Sequence, residues 1–227
     1  MIYISLLQFV GFAIASPTGR KSIVRSLKRP RKNFVPPYGP FKGTALNFIR
    51  SGGSHSTAVF DRIADLKSRK GREGNMTNWS VSALALEHTI QSASLFKDWG
   101  LTVARLNPER GKNLMLKGLQ ISMNPNAELL GSRMGRPLAG ALRIYPHKNP
   151  TTRIGKRGAE IMAALLYLWL VDTSNGSPMP DSGCCLVFEV FDQRLTPAPL
   201  EIDPMLRFLK ITADELERLW NEDQEAA

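Results

Sequence analysis

The sequence predicts an α/β (α+β) fold in which a small central mixed sheet of about four strands packs against a buried crossover helix and C-terminal helices. The main observation is the run 161–171, which is apolar and uncharged but too short to span a bilayer. The second is that strand-like segments lie on both sides of this run, at 138–145 and 184–192. The third is that clear helix-start signals follow near the C-terminus.

Positive charge is concentrated in the first third of the chain. The 227 residues carry a formal charge of +10 and are 43% hydrophobic, which is enough to build a full core. Residues 1–75 hold 14 lysines and arginines against 3 aspartates and glutamates, a charge of +11 that leaves −1 for residues 76–227. A basic segment attached to a nearly neutral body is typical of proteins that bind nucleic acid or another polyanion.

The first 75 residues are predicted to be a basic extension rich in Pro, Gly and Ser, largely disordered apart from one short helix at 57–70. Residues 76–227 then form a single α/β domain, and a misassigned start, with translation beginning at Met76, is an alternative. The segment 4–15 has the length and apolar character of a signal peptide. No Lys or Arg precedes it, so we expect a cytoplasmic protein, with export as the alternative if residues 1–15 are a signal.

The body of the chain is predicted to alternate between helices and strands. A helix that stops at Gly100 is indicated by apolar residues at three- and four-residue spacing: Trp79, Ala83, Leu86, Ile90, Ala93 and Phe96. A strand at 101–106 and a second at 114–123 are expected to pair as a hairpin. We interpret 124–137 as a connection with at most one helical turn. The strand 138–145, the central helix and a last strand at 184–192 complete the sheet.

Two helices are predicted at the C-terminus. Asp203 and Pro204 supply an N-cap and a first-turn proline for a short helix that runs toward residue 210. Thr212 and Glu215 form a capping box for a second helix with an apolar stripe, made of Leu216, Leu219 and Trp220. The stripe is expected to pack on the sheet, and docking on a protein partner is the alternative.

The cysteine pair and the common motifs give little chemistry. Cys184 and Cys185 are adjacent, so they cannot staple the fold, and we expect core thiols, with a redox or metal pair as the alternative. The sequence contains no CxxC, P-loop, GxGxxG, HExxH or GxSxG motif.

The strongest indication of a binding site is a group of cations where the central helix begins. The helix dipole disfavours positive charge there unless an acidic group lies opposite. Together with cations at the end of the preceding strand, they predict one basic patch suited to a phosphate: Arg143, His147, Lys148, Arg153, Lys156 and Arg157. The basic extension adds cations interleaved with Phe34, Tyr38 and Phe41: Arg25, Lys28, Arg29, Arg31 and Lys32. Solvated surface charge is the alternative for both groups.

The predicted order of elements is helix, three strands, crossover helix and strand, followed by helices. This order resembles the core of the PD-(D/E)XK nuclease-like superfamily over roughly residues 79–192. The resemblance implies an acidic residue on the second strand and Glu-x-Lys on the third, where two carboxylates hold a divalent metal. The segments 114–123 and 138–145 contain no carboxylate. Under a nuclease reading the rearranged catalytic residues would be Glu87, Glu109 and Lys148, with Mg²⁺ as the cofactor.

These observations favour a non-catalytic α/β module, without a cofactor, that binds nucleic acid or another phosphate-bearing anion through a basic helix start and the basic extension. A metal-dependent nuclease with rearranged acidic residues is one alternative. An accessory subunit whose C-terminal helix docks on a protein partner is another. No transmembrane segment is predicted.

Overall fold

The computed structural model describes residues 1–29, 38–70, 73–97, 99–108, 110–149, 153–174 and 178–225. Within these ranges the fold is mixed α/β, as predicted, with two sheets and seven α-helices. In chain order the elements are β1 (Ile2–Ser5), α1 (Leu6–Ile14), α2 (Pro17–Lys28), α3 (Gly39–Arg50), α4 (Ser56–Ser68), α5 (Glu73–Gln91), β2 (Thr102–Ala104), β3 (Asn113–Leu116), β4 (Leu119–Ser122), β5 (Ala127–Arg133), β6 (Arg136–Tyr145), α6 (Gly155–Thr173), β7 (Met179–Pro180), β8 (Leu186–Glu189), β9 (Arg194–Pro197) and α7 (Ile202–Glu225).

The main sheet has the strand order β2-β5-β6-β8-β9, and the short β7 pairs with β6. β5 runs antiparallel to both β2 and β6, whereas β6 and β8 are parallel. In that parallel pair Arg143 is in register with Val187, and Tyr145 with Glu189. The crossover between these two strands is α6, so the predicted strand 138–145, the central helix and the last strand are confirmed.

Successive residues of β6 and β8 contribute to apolar clusters on opposite faces of the sheet. One cluster contains Ala141, Tyr145 and Val187 together with residues of α1, α6 and α7. The other contains residues of α3, α4 and α5 together with the intervening strand positions, such as Ile144 and Phe188. The sheet is therefore covered on both faces, as expected for strands that are apolar at nearly every position.

The described part of the first 75 residues forms β1 and the helices α1 to α4, so the prediction of a largely disordered extension is wrong there. Phe9, Phe12 and Phe41 are fully buried, and β1 pairs with β4 in the smaller sheet of order β1-β4-β3. The composition was misleading because a few well-spaced apolar residues suffice to anchor each short helix, for example Val24 in α2 and Ile63 in α4. The predicted helix at 57–70 is confirmed as α4, and the predicted boundary after residue 75 falls inside α5.

Two strand predictions between residues 101 and 137 are wrong. The segment 114–123 is not one strand paired with 101–106. It is a tight hairpin of β3 and β4 that turns at Lys117, which has a positive φ of 54°. The segment 124–137 is not a connection, because it contains β5, which pairs with both β2 and β6. Gly140 on β6 allows a close approach, since a Cβ there would lie 1.9 Å from the carbonyl oxygen of Cys184.

The C-terminal segment is a single helix, so the predicted break at Thr212 is wrong. The Thr212 hydroxyl donates to the carbonyl oxygen of Phe208 at 2.8 Å, a bond typical of a helix interior. Glu215 forms an ion pair with Arg20 of α2 instead of a capping box. Leu216 and Leu219 are buried in the core. The two leucines of the apolar stripe, which the sequence predicted to pack on the sheet, are thus used inside the fold.

Both cysteines are free and buried, as expected for core thiols. Burial raises the pKa of the Cys184 thiol to about 11, which keeps it protonated and unreactive at neutral pH.

Among the described residues, no helix combines the length and apolar character that crossing a membrane requires.

Candidate anion-binding site

The candidate site lies where β6 ends, at the carboxyl end of the parallel β6 and β8 pair. In α/β sheets such strand ends are a common position for ligands. The loop after β6 is fixed by Tyr38, whose hydroxyl oxygen accepts a hydrogen bond from the backbone N–H of Lys148 at 3.2 Å. Just before β5, the side-chain oxygen of Asn126 accepts from the backbone N–H of Ile144 at 2.8 Å. Two separate segments therefore hold the strand end in place.

Arg143 is the central cation of this site. Its guanidinium donates to the carbonyl oxygen of Asn124, while its Nε is shielded from solvent and has no hydrogen-bond partner. Burial lowers the pKa of Arg143. No carboxylate of the described residues lies within ion-pair distance of it. A partly desolvated guanidinium without a counter-ion is unfavourable unless something else supplies negative charge.

Lys42 of α3 adds a second cation next to Arg143. Burial and then the positive charge of Arg143 lower the pKa of the Lys42 ammonium. Among the described carboxylates, none is within ion-pair distance of Lys42 either. An ammonium whose protonated form is disfavoured by burial and by a neighbouring guanidinium would be stabilised by an anion bound beside it.

His147 completes the group between two tyrosine rings. Its ring stacks on Tyr145 with centroids 4.3 Å apart, and lies 6.0 Å from the ring of Tyr38. Burial and then the charge of Arg143 lower the pKa of His147, so the imidazole is neutral at pH 7. Lys148 follows in the chain and is exposed. We call these four side chains the strand-end cluster: Lys42, Arg143, His147 and Lys148.

The cations at the start of α6 are arranged differently, although sequence reasoning placed them in the same patch. Arg153 forms an ion pair with Asp192 at 2.8 Å. Arg157 lies 3.6 Å from Glu160 and stacks over the Phe208 ring at 5.1 Å. Lys156 is exposed. Two of the three helix-start cations thus already have carboxylate partners within the fold.

The predicted cations of the basic extension differ in their surroundings. Lys28 donates to the carbonyl oxygen of Trp220 at 2.7 Å and lies over its ring, so it joins α2 to α7. Arg25 and Arg29 are exposed at the end of α2. Three predicted residues of this extension lie outside the described residues: Arg31, Lys32 and Phe34. The exposed part of this group can add long-range attraction.

The residues proposed for a rearranged nuclease site do not fit a magnesium ion. Glu87 is bound by Lys67 at 2.6 Å, and Glu109 lies outside the described residues. The described sheet carboxylates that could replace them are also neutralised, with Glu128 paired to Arg110 at 2.8 Å and Glu189 to Arg194 at 2.7 Å. Among the residues that can be placed, no cluster of three or more His, Cys, Asp or Glu could hold a metal ion.

Sequence reasoning found three members of the strand-end cluster and missed Lys42. The three were identified because Arg143 lies in a predicted strand and His147 and Lys148 follow that strand, all within six residues. Lys42 is on a helix of the segment that was expected to be disordered, and only the tertiary fold brings it to Arg143. The sequence carries no local signal that could have identified it.

Comparison of the chain with protein-family models, with curated proteins and with solved structures gives no match.

Proposed function

We propose that the protein binds nucleic acid, holding a backbone phosphate in the strand-end cluster, and that it does so without a catalytic step. The observation that carries this proposal is the environment of Arg143. This side chain is half-buried next to Lys42, its Nε has no hydrogen-bond partner, and no carboxylate of the described residues is within ion-pair distance of it. Guanidinium and ammonium groups together are suited to phosphate, since the first provides paired donors and the second a point charge.

The choice of a polyanion over a small anion is supported by the rest of the surface. The chain carries a formal charge of +10, and exposed cations such as Arg25 and Arg29 lie outside the cluster. A diffuse positive field raises the local concentration of nucleic acid, while a partly enclosed cluster fixes one phosphate. The proposal therefore combines a general attraction with one specific anchor.

The order of elements supports a nuclease-like core that has lost its metal ligands. With the β3–β4 hairpin set aside, the chain runs α5, β2, β5, β6, α6 and β8, which is the order that the PD-(D/E)XK resemblance implies. The second strand of this series is β5, which carries Glu128, but Arg110 neutralises that carboxylate. The third strand is β6, which carries Arg143 and no carboxylate. We propose that a cation in this position binds phosphate where a nuclease would hold a metal.

The test is a binding titration of a fluorescently labelled single-stranded oligonucleotide, followed by anisotropy at several salt concentrations. The variant removes two charges from the cluster, Lys42→Gln with Lys148→Gln. The matched control removes two charges from the helix start, Arg153→Gln with Arg157→Gln. We expect the cluster variant to bind at least about tenfold more weakly with a shallower salt dependence, and the control to change by less than about threefold.

Two results would overturn the proposal. Equal losses in the two double variants would mean that only net charge matters and that the strand-end cluster is no anchor. Cleavage of the oligonucleotide by the wild-type protein in Mg²⁺ or Mn²⁺, abolished by a substitution in the cluster, would refute the absence of a catalytic step.

A further inference from the structure

A small cavity lies beside Asn124, whose carbonyl oxygen accepts a hydrogen bond from the Arg143 guanidinium. Its volume is about 160 Å³, and its walls are mainly apolar, from Leu106, Pro108, Met123, Pro125 and Trp169. The Trp169 ring is fixed in place, because its indole N–H donates to the carbonyl oxygen of Gly111 at 2.7 Å and only 3% of the residue is exposed. The cavity is thus preformed and has a rigid aromatic wall.

The volume of the cavity limits what it can accept. An apolar cavity of about 150 Å³ is known to bind benzene, so this one has room for a single six-membered ring. Exposed Lys112 stands among the lining residues, where it can attract a ligand that also carries negative charge. A planar ring attached to an anionic group matches both properties.

Asn124 connects this cavity with the strand-end cluster. It lines the cavity, and its carbonyl oxygen accepts the hydrogen bond from Arg143. A ring in the cavity and a phosphate at Arg143 would therefore both lie next to Asn124, as the base and the phosphate of one nucleotide could. Bases that are unstacked from a single strand commonly contact aromatic side chains of the protein, and Trp169 is the aromatic residue in the lining of this cavity.

We propose that the cavity accepts a pyrimidine base of the nucleotide whose phosphate lies in the strand-end cluster. This inference rests on the proposed function and adds the substrate class, a single strand with a pyrimidine at the anchored position. A purine has two fused rings and needs more room than the single ring for which a cavity of this volume is known to suffice.

Calorimetry with four small probes tests this inference: uridine 5′-monophosphate, adenosine 5′-monophosphate, ribose 5-phosphate and uridine. We expect the uridine nucleotide to bind about tenfold more tightly than ribose 5-phosphate and more tightly than the adenosine nucleotide. We also expect it to shift the indole N–H signal of Trp169 in a ¹⁵N–¹H NMR spectrum, whereas ribose 5-phosphate leaves that signal in place.

A cavity-filling variant provides the control. Leu106→Phe places a ring in the cavity from a residue that is 36% exposed, so folding is preserved, and it should reduce uridine nucleotide binding to the level of ribose 5-phosphate. The same substitution at Leu200, which is 91% exposed and lies outside the lining, should have no effect. A melting temperature equal to that of the wild type verifies that both variants fold.

The outcomes separate this inference from the proposed function. If ribose 5-phosphate and both nucleotides bind equally well, the base does not enter the cavity and the inference is wrong, while the phosphate site stands. If no phosphate-bearing probe binds, the proposed function fails and this inference fails with it. Tighter binding of the adenosine nucleotide than of the uridine nucleotide would refute the preference for a single ring.

Discussion

The start of α6 and the end of β6 both present cations near one helix terminus, but only the helix start has carboxylates opposite them. Asp192 and Glu160 neutralise Arg153 and Arg157, whereas Arg143 and Lys42 have no such partner among the described residues. Cations at a helix N-terminus oppose the macrodipole, so the fold supplies acidic partners there. The comparison teaches that the number of cations in a segment does not identify a binding site, but their lack of internal counter-ions does.

The same distinction separates structural from functional charge elsewhere in the protein. Arg110 and Glu128 are a buried pair, with side chains 11% and 10% exposed. Such a pair contributes to the fold only while both partners are present. The two cations Arg143 and Lys42 of the strand-end cluster have no such counter-ion among the described residues, so under the proposed function a bound anion would supply the missing negative charge.

The largest expected effect is the loss of a structural cation. In the Arg110→Met variant the Glu128 carboxylate remains buried with no cation opposite it and only the backbone N–H of Asn107 as a hydrogen-bond partner, so the free energy of unfolding should fall by about 3–5 kcal/mol. Urea denaturation followed by circular dichroism measures this loss. A decrease of less than about 1 kcal/mol would mean that paired and unpaired cations do not differ in this protein.

The matching substitution in the cluster should behave in the opposite way. Arg143→Met removes an unpaired and partly desolvated charge at the expense of one hydrogen bond to Asn124, so stability should stay within about 1 kcal/mol of the wild type. The same variant should lose oligonucleotide binding. If instead it unfolds as easily as the Arg110 variant, Arg143 has a structural role and the central comparison is wrong.

The pH dependence sharpens the role of His147. Its pKa is lowered in the free protein, so an anion bound beside Arg143 raises that pKa and draws in a proton. Oligonucleotide affinity should therefore increase as the pH falls from about 7.5 to 5.5, by at most tenfold per pH unit for one proton. A His147→Gln variant should show a flatter profile.

The stability of the free protein should change in the opposite direction over this range. Because the pKa of His147 is lower in the folded state than in the unfolded chain, the unfolded state binds more protons near pH 6.5 and below. The contribution of His147 to stability is present above that pH and is lost as the pH falls.

Equal pH profiles of binding for the wild type and His147→Gln would exclude this residue from the site.

The smallest effect is expected at the helix start. Arg153 is 36% exposed, and exposed ion pairs contribute about 0–1 kcal/mol, so Arg153→Gln should change both stability and oligonucleotide affinity only slightly. Denaturation and anisotropy titrations on the same preparation measure both. A loss of affinity as large as that of an Arg143 variant would place the anion at the helix start after all.

The sequence was sufficient for the elements with strong local patterns. β6, α6 and β8 were predicted because they are long apolar runs with clear breaks between them. β5 was missed because Pro125 and Gly131 read as loop signals, and the β3–β4 hairpin was missed because Lys117 gives no conventional turn signature. In both cases the strand pairing of the folded protein overrides the local preference of the sequence for a loop or a single strand.

The site was only partly predictable for a related reason. Arg143, His147 and Lys148 are close in sequence, whereas Lys42 and Asp192 reach this region from distant elements. Whether a cation is neutralised depends on such distant partners, so the sequence alone could not separate Arg153 from Arg143. A partner three residues away, such as Glu160 for Arg157, is the exception that helix spacing reveals.

Thermal unfolding of the wild type and of Lys42→Gln, each in inorganic phosphate and in chloride at equal ionic strength, is the most direct test of the account. In chloride, Lys42→Gln should be at least as stable as the wild type, because the substitution removes a desolvated charge next to Arg143. In phosphate, the wild type should gain melting temperature and the variant should gain much less. A variant that is less stable in chloride, or that gains as much from phosphate as the wild type, would contradict the claim that this cluster exists to hold an anion.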